Sequence, residues 1–167
     1  MGAQLNQRSA RVITASTRAS QGIYKDLSGE ILAEGLRTLG YEVGAIIIIP
    51  DNPTLISAEI KSALDAEIDL IITTGGTGVS PTDCTPEATA PLVEKLIPGI
   101  PEALREFSRK KVATADLSRG IAGTTGRSLI INLPGSPGAV RDGLIIIEKL
   151  AGHVLDQLAG KDHSISS

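Results

Sequence analysis

The chain has 167 residues, 41% hydrophobic and 21% charged, with a net charge of -3 and a pI near 5.4. Such a length suits one domain that buries on the order of 70% of the surface its unfolded form exposes. An acidic balance and only two Tyr and one Phe exclude a broad phosphate-backbone footprint and the aromatic platforms of a single-strand nucleic-acid binder, so a bound anion has to be held locally. One cysteine excludes an intrachain disulfide and a multi-cysteine metal site. The apolar runs are shorter than the roughly 20 residues of a membrane helix, and residues 1–10 show no charged-then-apolar leader. A cytoplasmic protein with no membrane or nucleic-acid partner is expected.

Residues 1–9 are polar and read as a frayed N-terminus, residues 10–160 as a single domain and residues 161–167 as a polar tail. Arg11-Val12-Ile13-Thr14-Ala15 reads as a first strand that ends in Ser16-Thr17-Arg18. Leu27, Ile31, Gly35, Leu36 and Leu39 recur at helical spacing and Gly40 closes that helix. Residues 43–49 read as a second strand, apolar on both faces as in a covered parallel sheet, ending at Pro50-Asp51-Asn52-Pro53. Thr54 is the expected cap of the next helix, with Ile56, Ile60, Ala63 and Leu64 inward. Ile68-Asp69-Leu70-Ile71-Ile72 is a third, buried strand. Pro91 interrupts the next helical pattern, and a helix over residues 101–110 places Leu104 and Phe107 inward and pairs Glu102 with Arg105. Residues 112–122 and 128–133 read as a strand pair turning at Gly123-Thr124-Thr125-Gly126. Ser136 caps and Pro137 opens a long last helix whose wide apolar side, including Ile145, Ile146 and Leu150, points to a subunit contact.

Alternating strands and helices indicate an α/β domain with a mainly parallel sheet covered on both faces. Its strand ends are polar and glycine-rich, and a parallel arrangement gathers them on one edge, where ligands sit in open α/β folds. Thr73-Thr74-Gly75-Gly76-Thr77-Gly78-Val79-Ser80-Pro81-Thr82-Asp83 is the richest of these ends. Its glycines let the backbone approach a bound group and aim N–H donors at it, beside the Thr77 and Ser80 hydroxyls. Thr85, Pro86 and Glu87 then read as a capped helix start, which leaves Asp83 outside the helix and facing the loop. The loop departs from the dinucleotide fingerprint because the third glycine is missing, and residues 120–128 depart from a P-loop in spacing and in lacking the lysine. Asp51 and Asp83 each fit a local turn, but on one sheet edge they are a pair able to hold Mg²⁺ together with substrate phosphates. Glu102 and Arg105 also fit an exposed helical pair. Cys84 reads as a small packing residue, and His153 and His163 receive no function.

The loop and Asp83-Cys84-Thr85-Pro86-Glu87-Ala88, then Pro98-Gly99-Ile100-Pro101-Glu102 with Arg105, Leu117-Ser118-Arg119 and Asn132-Leu133-Pro134-Gly135-Ser136-Pro137, resemble the molybdenum-cofactor biosynthesis family. That family includes bacterial molybdopterin adenylyltransferases, B-type relatives and the G domains of gephyrin and plant Cnx, and the resemblance spans residues 11–158. It implies a three-layer αβα sandwich and a homo-oligomer, a trimer being favoured over a hexamer. It also implies contact with other cofactor-biosynthesis proteins. The implied reaction transfers the adenylyl group of ATP to molybdopterin and releases pyrophosphate, with Mg²⁺ as cofactor.

By the same resemblance Asp51 and Asp83 are the catalytic and metal-holding acids. Thr74, Gly75, Gly76, Thr77, Gly78, Ser80, Glu102, Arg105, Ser118, Pro134, Gly135 and Ser136 bind substrate or nucleotide. Arg18, Arg105 or Arg119 supplies positive charge to the phosphates. Family members often read Ser-Asp-Arg where this chain has Ser16-Thr17-Arg18, so one acid is absent at that corner. A different class of function, a non-catalytic module that binds molybdopterin or a nucleotide, remains the alternative. A dehydrogenase is disfavoured by the missing fingerprint.

Overall fold

The computed structural model describes residues 7–161. Its core is a seven-stranded sheet. The strands are β1 (Ser9–Ala15), β2 (Glu42–Val43), β3 (Ile47–Ile49), β4 (Leu70–Thr74), β5 (Lys95–Leu96), β6 (Ala122–Thr125) and β7 (Ser128–Leu133). In space they run β2-β1-β4-β7-β6-β5, with β3 on the same edge of β1 as β2. β1, β2, β3, β4 and β7 are parallel, while β6 and β5 join antiparallel. The helices are α1 (Thr17–Ser20), α2 (Leu27–Thr38), α3 (Pro53–Asp65), α4 (Thr85–Thr89), α5 (Gly99–Arg109) and α6 (Pro137–Leu158).

Successive strand residues point to opposite faces, and the central strands are apolar on both. Val12, Leu70, Ile72, Leu129 and Ile131 pack with α2, α5 and α6 through Leu32, Leu36, Leu104, Val140 and Ile147. Ile13, Ile71 and Ile130 pack on the other side with Ile56, Ile60 and Ala63 of α3 and Ala88 of α4. The result is the expected αβα sandwich with one dry layer on each face. At about 25 cal/mol per Å² of apolar surface removed from water, these two layers are the main source of stability.

Several local expectations are corrected. Residues 43–49 do not form one buried strand. The offset between partners changes from 33 (Ser9 opposite Glu42) to 34 (Ile13 opposite Ile47), so the edge strand carries one extra residue around Gly44 and splits into β2 and β3. Lying at an edge, it is only half covered, and Ile48 is 40% exposed. Residues 113–117 form a 3₁₀ turn rather than a strand, and the hairpin turns at Gly126, where φ is +56°. Gly123 instead lies inside β6, where a side chain would meet Val93 and Lys95. β5 was not anticipated.

The caps also differ. Asn52, not Thr54, caps α3 by accepting from Leu55 N at 3.0 Å, and Cys84 precedes α4 with Thr85 already inside the first turn. A short asparagine that can reach N3 outcompetes a threonine placed two residues too late. The frayed reading does not hold for residues 7–9. Gln7 donates to the Gly40 carbonyl, Arg8 pairs with Asp156 at 2.7 Å, and Ser9 opens β1. The other residues of the expected terminal segments, 1–6 and 162–167, lie outside the described residues, as does His163.

Candidate active site

Parallel packing carries the ends of β1, β3, β4 and β7 to one edge, where they surround a cavity of about 880 Å³. That is the size of a small-molecule or cofactor site. The glycine loop forms its floor. Gly75 has φ +95° and Gly76 φ +66°, a region closed to most side chains. A Cβ on Gly75 would collide with the Ala15 carbonyl, and one on Gly76 with the Thr85 hydroxyl. The loop therefore presents bare backbone to the cavity.

Other strand ends clamp it. Gly75 N donates to Leu133 O at 3.0 Å and Thr74 Oγ1 donates to Pro134 O at 2.9 Å. Asn132, buried on β7, donates through Nδ2 to Thr73 Oγ1 and Thr89 Oγ1 at 2.9 and 3.1 Å and accepts from Ile121 N at 3.2 Å. Arg119 braces the outer side of the loop. Its backbone N donates to Thr77 O at 2.8 Å, Nε to Gly78 O at 2.7 Å and Nη2 to Asp83 O at 3.3 Å, and Nη1 pairs with Glu87. The hydrogen bond from Arg119 holds the Glu87 carboxyl below its ordinary range, assisted by the backbone N–H of Glu87.

Asp51 and Asp83 both line the cavity. Asp83 Oδ2 accepts from Ser80 N at 3.1 Å, which closes the loop between them. Asp51 Oδ2 accepts from Thr17 N and Thr17 Oγ1, each at 3.0 Å. The second carboxylate oxygen of each makes no hydrogen bond to protein among the described residues. Free oxygens on two carboxylates facing a cavity suit a hard cation that shares its shell with phosphates and water. The described residues contain no cluster of three or more His, Cys, Asp and Glu able to hold a metal by themselves.

Of the residues singled out from the sequence, Thr74, Gly75, Gly76, Thr77, Gly78, Arg105, Ser118, Pro134, Gly135 and Ser136 line the same cavity. Arg105 does not pair with Glu102; its guanidinium donates to Ser118 O at 3.2 Å. Glu102 is exposed and absent from the cavity wall, because residue 102 falls on the solvent side of α5. Ser80 is likewise off the wall and acts through its amide on Asp83. Of the arginines considered for the phosphates, Arg18 is exposed and Arg119 is committed to the loop, so only Arg105 lines the cavity.

Sequence reading missed several wall residues. Lys25, Lys111 and Arg141 supply further positive charge. Buried Asp26 accepts from Thr14 Oγ1 at 2.7 Å and Gly29 N at 2.9 Å, and buried Asp142 accepts from Ser108 Oγ at 2.8 Å and Lys111 Nζ at 2.7 Å. Asp26 had a local signal, an acid at a helix start. Asp142 had none, since its partners, Ser108 of α5 and Lys111 just beyond that helix, lie more than 30 residues away in the chain. Cys84 stands behind the loop. Burial pushes its thiol up, and the nearby Asp51, Glu87 and Asp83 charges add to the shift, so it is no activated nucleophile.

Fold and site together define an α/β domain with its pocket at the carboxyl edge of parallel strands, floored by a glycine loop and faced by two carboxylates. The chain belongs to the family described as "Probable molybdopterin binding domain", whose model matches residues 11–152. It is 43% identical over 157 residues to the molybdopterin adenylyltransferase of Helicobacter pylori strain ATCC 700392 / 26695, covering 89% of this chain and 86% of that protein. Its fold is similar to that of the molybdopterin biosynthesis Mog protein from Mycobacterium ulcerans, with TM-score 0.86 and 46% identity over 90% of this chain and 99% of the other. It is also similar to the molybdopterin biosynthesis enzyme MoaB from Thermus thermophilus, with TM-score 0.84, 38% identity and coverage of 93% and 98%.

Proposed function

We propose that the chain is a molybdopterin adenylyltransferase of molybdenum-cofactor biosynthesis. A terminal phosphate oxygen of molybdopterin attacks the α-phosphorus of ATP, the bond to the β-phosphate oxygen breaks, and adenylylated molybdopterin and pyrophosphate leave. The observation that carries this reading is the pairing of Asp51 and Asp83 across a cavity floored by bare glycine backbone. Transfer between phosphates calls for alignment and charge neutralisation more than for a protein nucleophile, and the raised thiol of Cys84 fits a reaction without a covalent enzyme intermediate.

Asp51 and Asp83 would hold Mg²⁺, which when bound neutralises phosphate charge. The loop amides of residues 75–78 position the phosphates, and Arg105 at the wall adds positive charge. Arg119 and Asn132 keep the loop and the β7 end in register, so the groups that face substrate are set before it arrives. The strand-end Ser136, which caps α6 by accepting from Ala139 N at 3.2 Å, fixes the Pro134-Gly135 turn opposite. We further infer a cytoplasmic homo-oligomer, a trimer in preference to a hexamer. The apolar face along α2 and α6, with Leu27 at 50% exposure and Ile31, Leu144 and Ile145 half-buried, supports a subunit contact. Among the described residues no helix is long and apolar enough to cross a membrane.

The test is incubation of the purified protein with molybdopterin, ATP and Mg²⁺, following pyrophosphate and adenylylated pterin. Product that depends on molybdopterin is expected. Tight binding of molybdopterin with no product would overturn the enzyme reading in favour of a binding module.

A further inference from the structure

We propose that Thr17 is the positioning residue for the Asp51 carboxylate. The inference rests on the reading above, in which Asp51 faces the reacting phosphates, and concerns a side chain that the cavity itself does not touch. Ala15 of β1 stands opposite Ile49 of β3. Thr17 and Asp51 each follow two residues later, so the sheet register alone delivers them side by side. Ser16 N donates to Ile49 O at 2.9 Å, carrying the pairing one step beyond the strands, and the Ser16 hydroxyl caps α1 by accepting from Ala19 N at 3.2 Å. The backbone at Thr17 is thereby held before Asp51 is considered, its carbonyl also accepting from Ser20 Oγ at 2.7 Å and Gln21 N at 3.1 Å.

Three hydrogen bonds then join the pair. Asp51 N donates to Thr17 Oγ1 at 3.1 Å, while Thr17 N and Thr17 Oγ1 both donate to Asp51 Oδ2 at 3.0 Å. Because Oγ1 accepts from the Asp51 amide, its own proton is left to point at the carboxylate. The arrangement is directional: the threonine gives two donors to one oxygen and takes one from the backbone, and the ring of bonds fixes the Asp51 side-chain torsions. The other oxygen, Oδ1, is turned toward the glycine loop, 3.4 Å from where a Cβ on Gly76 would stand. One half of the carboxylate is therefore saturated and the other half presented.

An aspartate at position 17 could not do this. It would offer no side-chain donor and would set a second negative charge against Asp51. Threonine supplies the donor without the charge, so the corner that lacks an acid in this chain is a device for orienting the remaining one. Thr17 lines no part of the cavity, so it acts only through Asp51.

Steady-state kinetics on Thr17→Val and Thr17→Ser test the assignment, with thermal melts run alongside. Valine keeps the shape and the backbone donor but removes Oγ1. We expect kcat of Thr17→Val to fall about tenfold, a smaller loss than the roughly 100-fold that a 1 Å misplacement at the reacting centre can cost, with KM for molybdopterin changed less than about twofold. Thr17→Ser, which keeps the hydroxyl, restores most of the lost rate. A Thr17→Val enzyme with undiminished kcat, or a serine variant as impaired as the valine one, overturns the proposal. An inactive wild-type chain would instead refute the adenylyltransferase reading. The Thr17 assignment would then be decided by the crystal structure of Thr17→Val, in which the Asp51 carboxylate is expected to turn away from Gly76; an unmoved carboxylate overturns it.

Discussion

The two ends of the parallel sheet use the same residue type for opposite purposes. At the amino end Asp69, which precedes β4, accepts from Ser9 N at 2.9 Å, Ser9 Oγ at 3.2 Å and Arg127 Nη2 at 2.7 Å, so both carboxylate oxygens are occupied. Its own amide donates to Ser9 Oγ at 3.1 Å, and its carbonyl accepts from Leu129 N. The cluster fastens β1, β4 and β7 together at their starts. At the carboxyl end Asp51 and Asp83 each keep one oxygen without a protein partner among the described residues and line a cavity. A carboxylate whose hydrogen-bonding capacity is filled by the fold contributes stability; one left half-filled is available to a ligand.

Removing a presented carboxylate should produce the largest effect. In Asp83→Asn, turnover is expected to fall roughly 100-fold or more, the scale seen when one charge-stabilising group is lost from a preorganised site. KM for molybdopterin should change much less and the melting temperature little, since among the described residues only the Ser80 amide contact to the fold is at stake. Equal losses in kcat and pterin affinity would assign Asp83 to ground-state binding instead.

Asp69→Asn should do the reverse. It keeps the shape, but removes the charge and turns an amide toward Arg127. Asp69 is 13% exposed and Arg127 57%, so the ion pair is partly screened, and the loss is set at about 2 kcal/mol for charge-assisted hydrogen bonds to a mostly buried carboxylate. For a chain of this length that is about 4–8 °C in melting temperature, measured by calorimetry, with kcat unchanged within twofold. A variant that melts like the parent but loses turnover would break the division between the two sheet ends.

The amino-end carboxylate also carries a pH signature. Burial acts to raise the Asp69 pKa, but the Ser9 amide, Arg127 and the Ser9 hydroxyl outweigh it, and the net position lies below the ordinary 3.8. A lowered folded pKa means that the unfolded state takes up the proton first as pH falls. The Asp69 contribution to stability is therefore complete above the ordinary carboxylate range and drains away as pH drops through 3.8 toward the lower folded value. Urea melts between about pH 5 and 2 should show the parent losing its advantage over Asp69→Asn across that interval. Parallel curves for the two proteins would show that the carboxylate is not perturbed.

This contrast also explains what could be read from the sequence and what could not. The central strands and the long last helix were legible, because burial on both faces gives the strands continuous apolar runs and the helix an apolar period of 3.6 residues. Ser136 and the positive-φ glycines of the loop announce themselves chemically. Asp51 and Asp83 could be placed at the cavity because they sit next to strand ends, where parallel topology makes sequence position predict location. Edge features were not legible: the extra residue that splits β2 from β3, the two-residue β5 and the 3₁₀ turn over residues 113–117 answer to tertiary contacts rather than to local pattern. For the same reason Glu102 was misplaced and Asp142 missed. Their roles depend on how α5 and α6 face each other, a relation between segments far apart in the chain.

Cys84 offers the smallest expected effect and a clean check on the chemistry. It directly follows Asp83 in the chain and feels the charges of Asp51, Glu87 and Asp83, and a reactive thiol there would imply covalent catalysis. Burial first, then the charges of Asp51, Glu87 and Asp83, favour the protonated form, whereas activated cysteines owe their reactivity to positive surroundings. Cys84→Ala should retain turnover within about threefold, the residual change coming from its contact with the apolar layer beneath α3 and α4. Alkylation by iodoacetamide should be slow at neutral pH and accelerate only in the alkaline range, without a plateau near pH 7. Rapid labelling at pH 7 together with a more than 100-fold loss in the alanine variant would overturn direct transfer between substrates. It would leave the pair of half-filled carboxylates as supports for a thiol nucleophile.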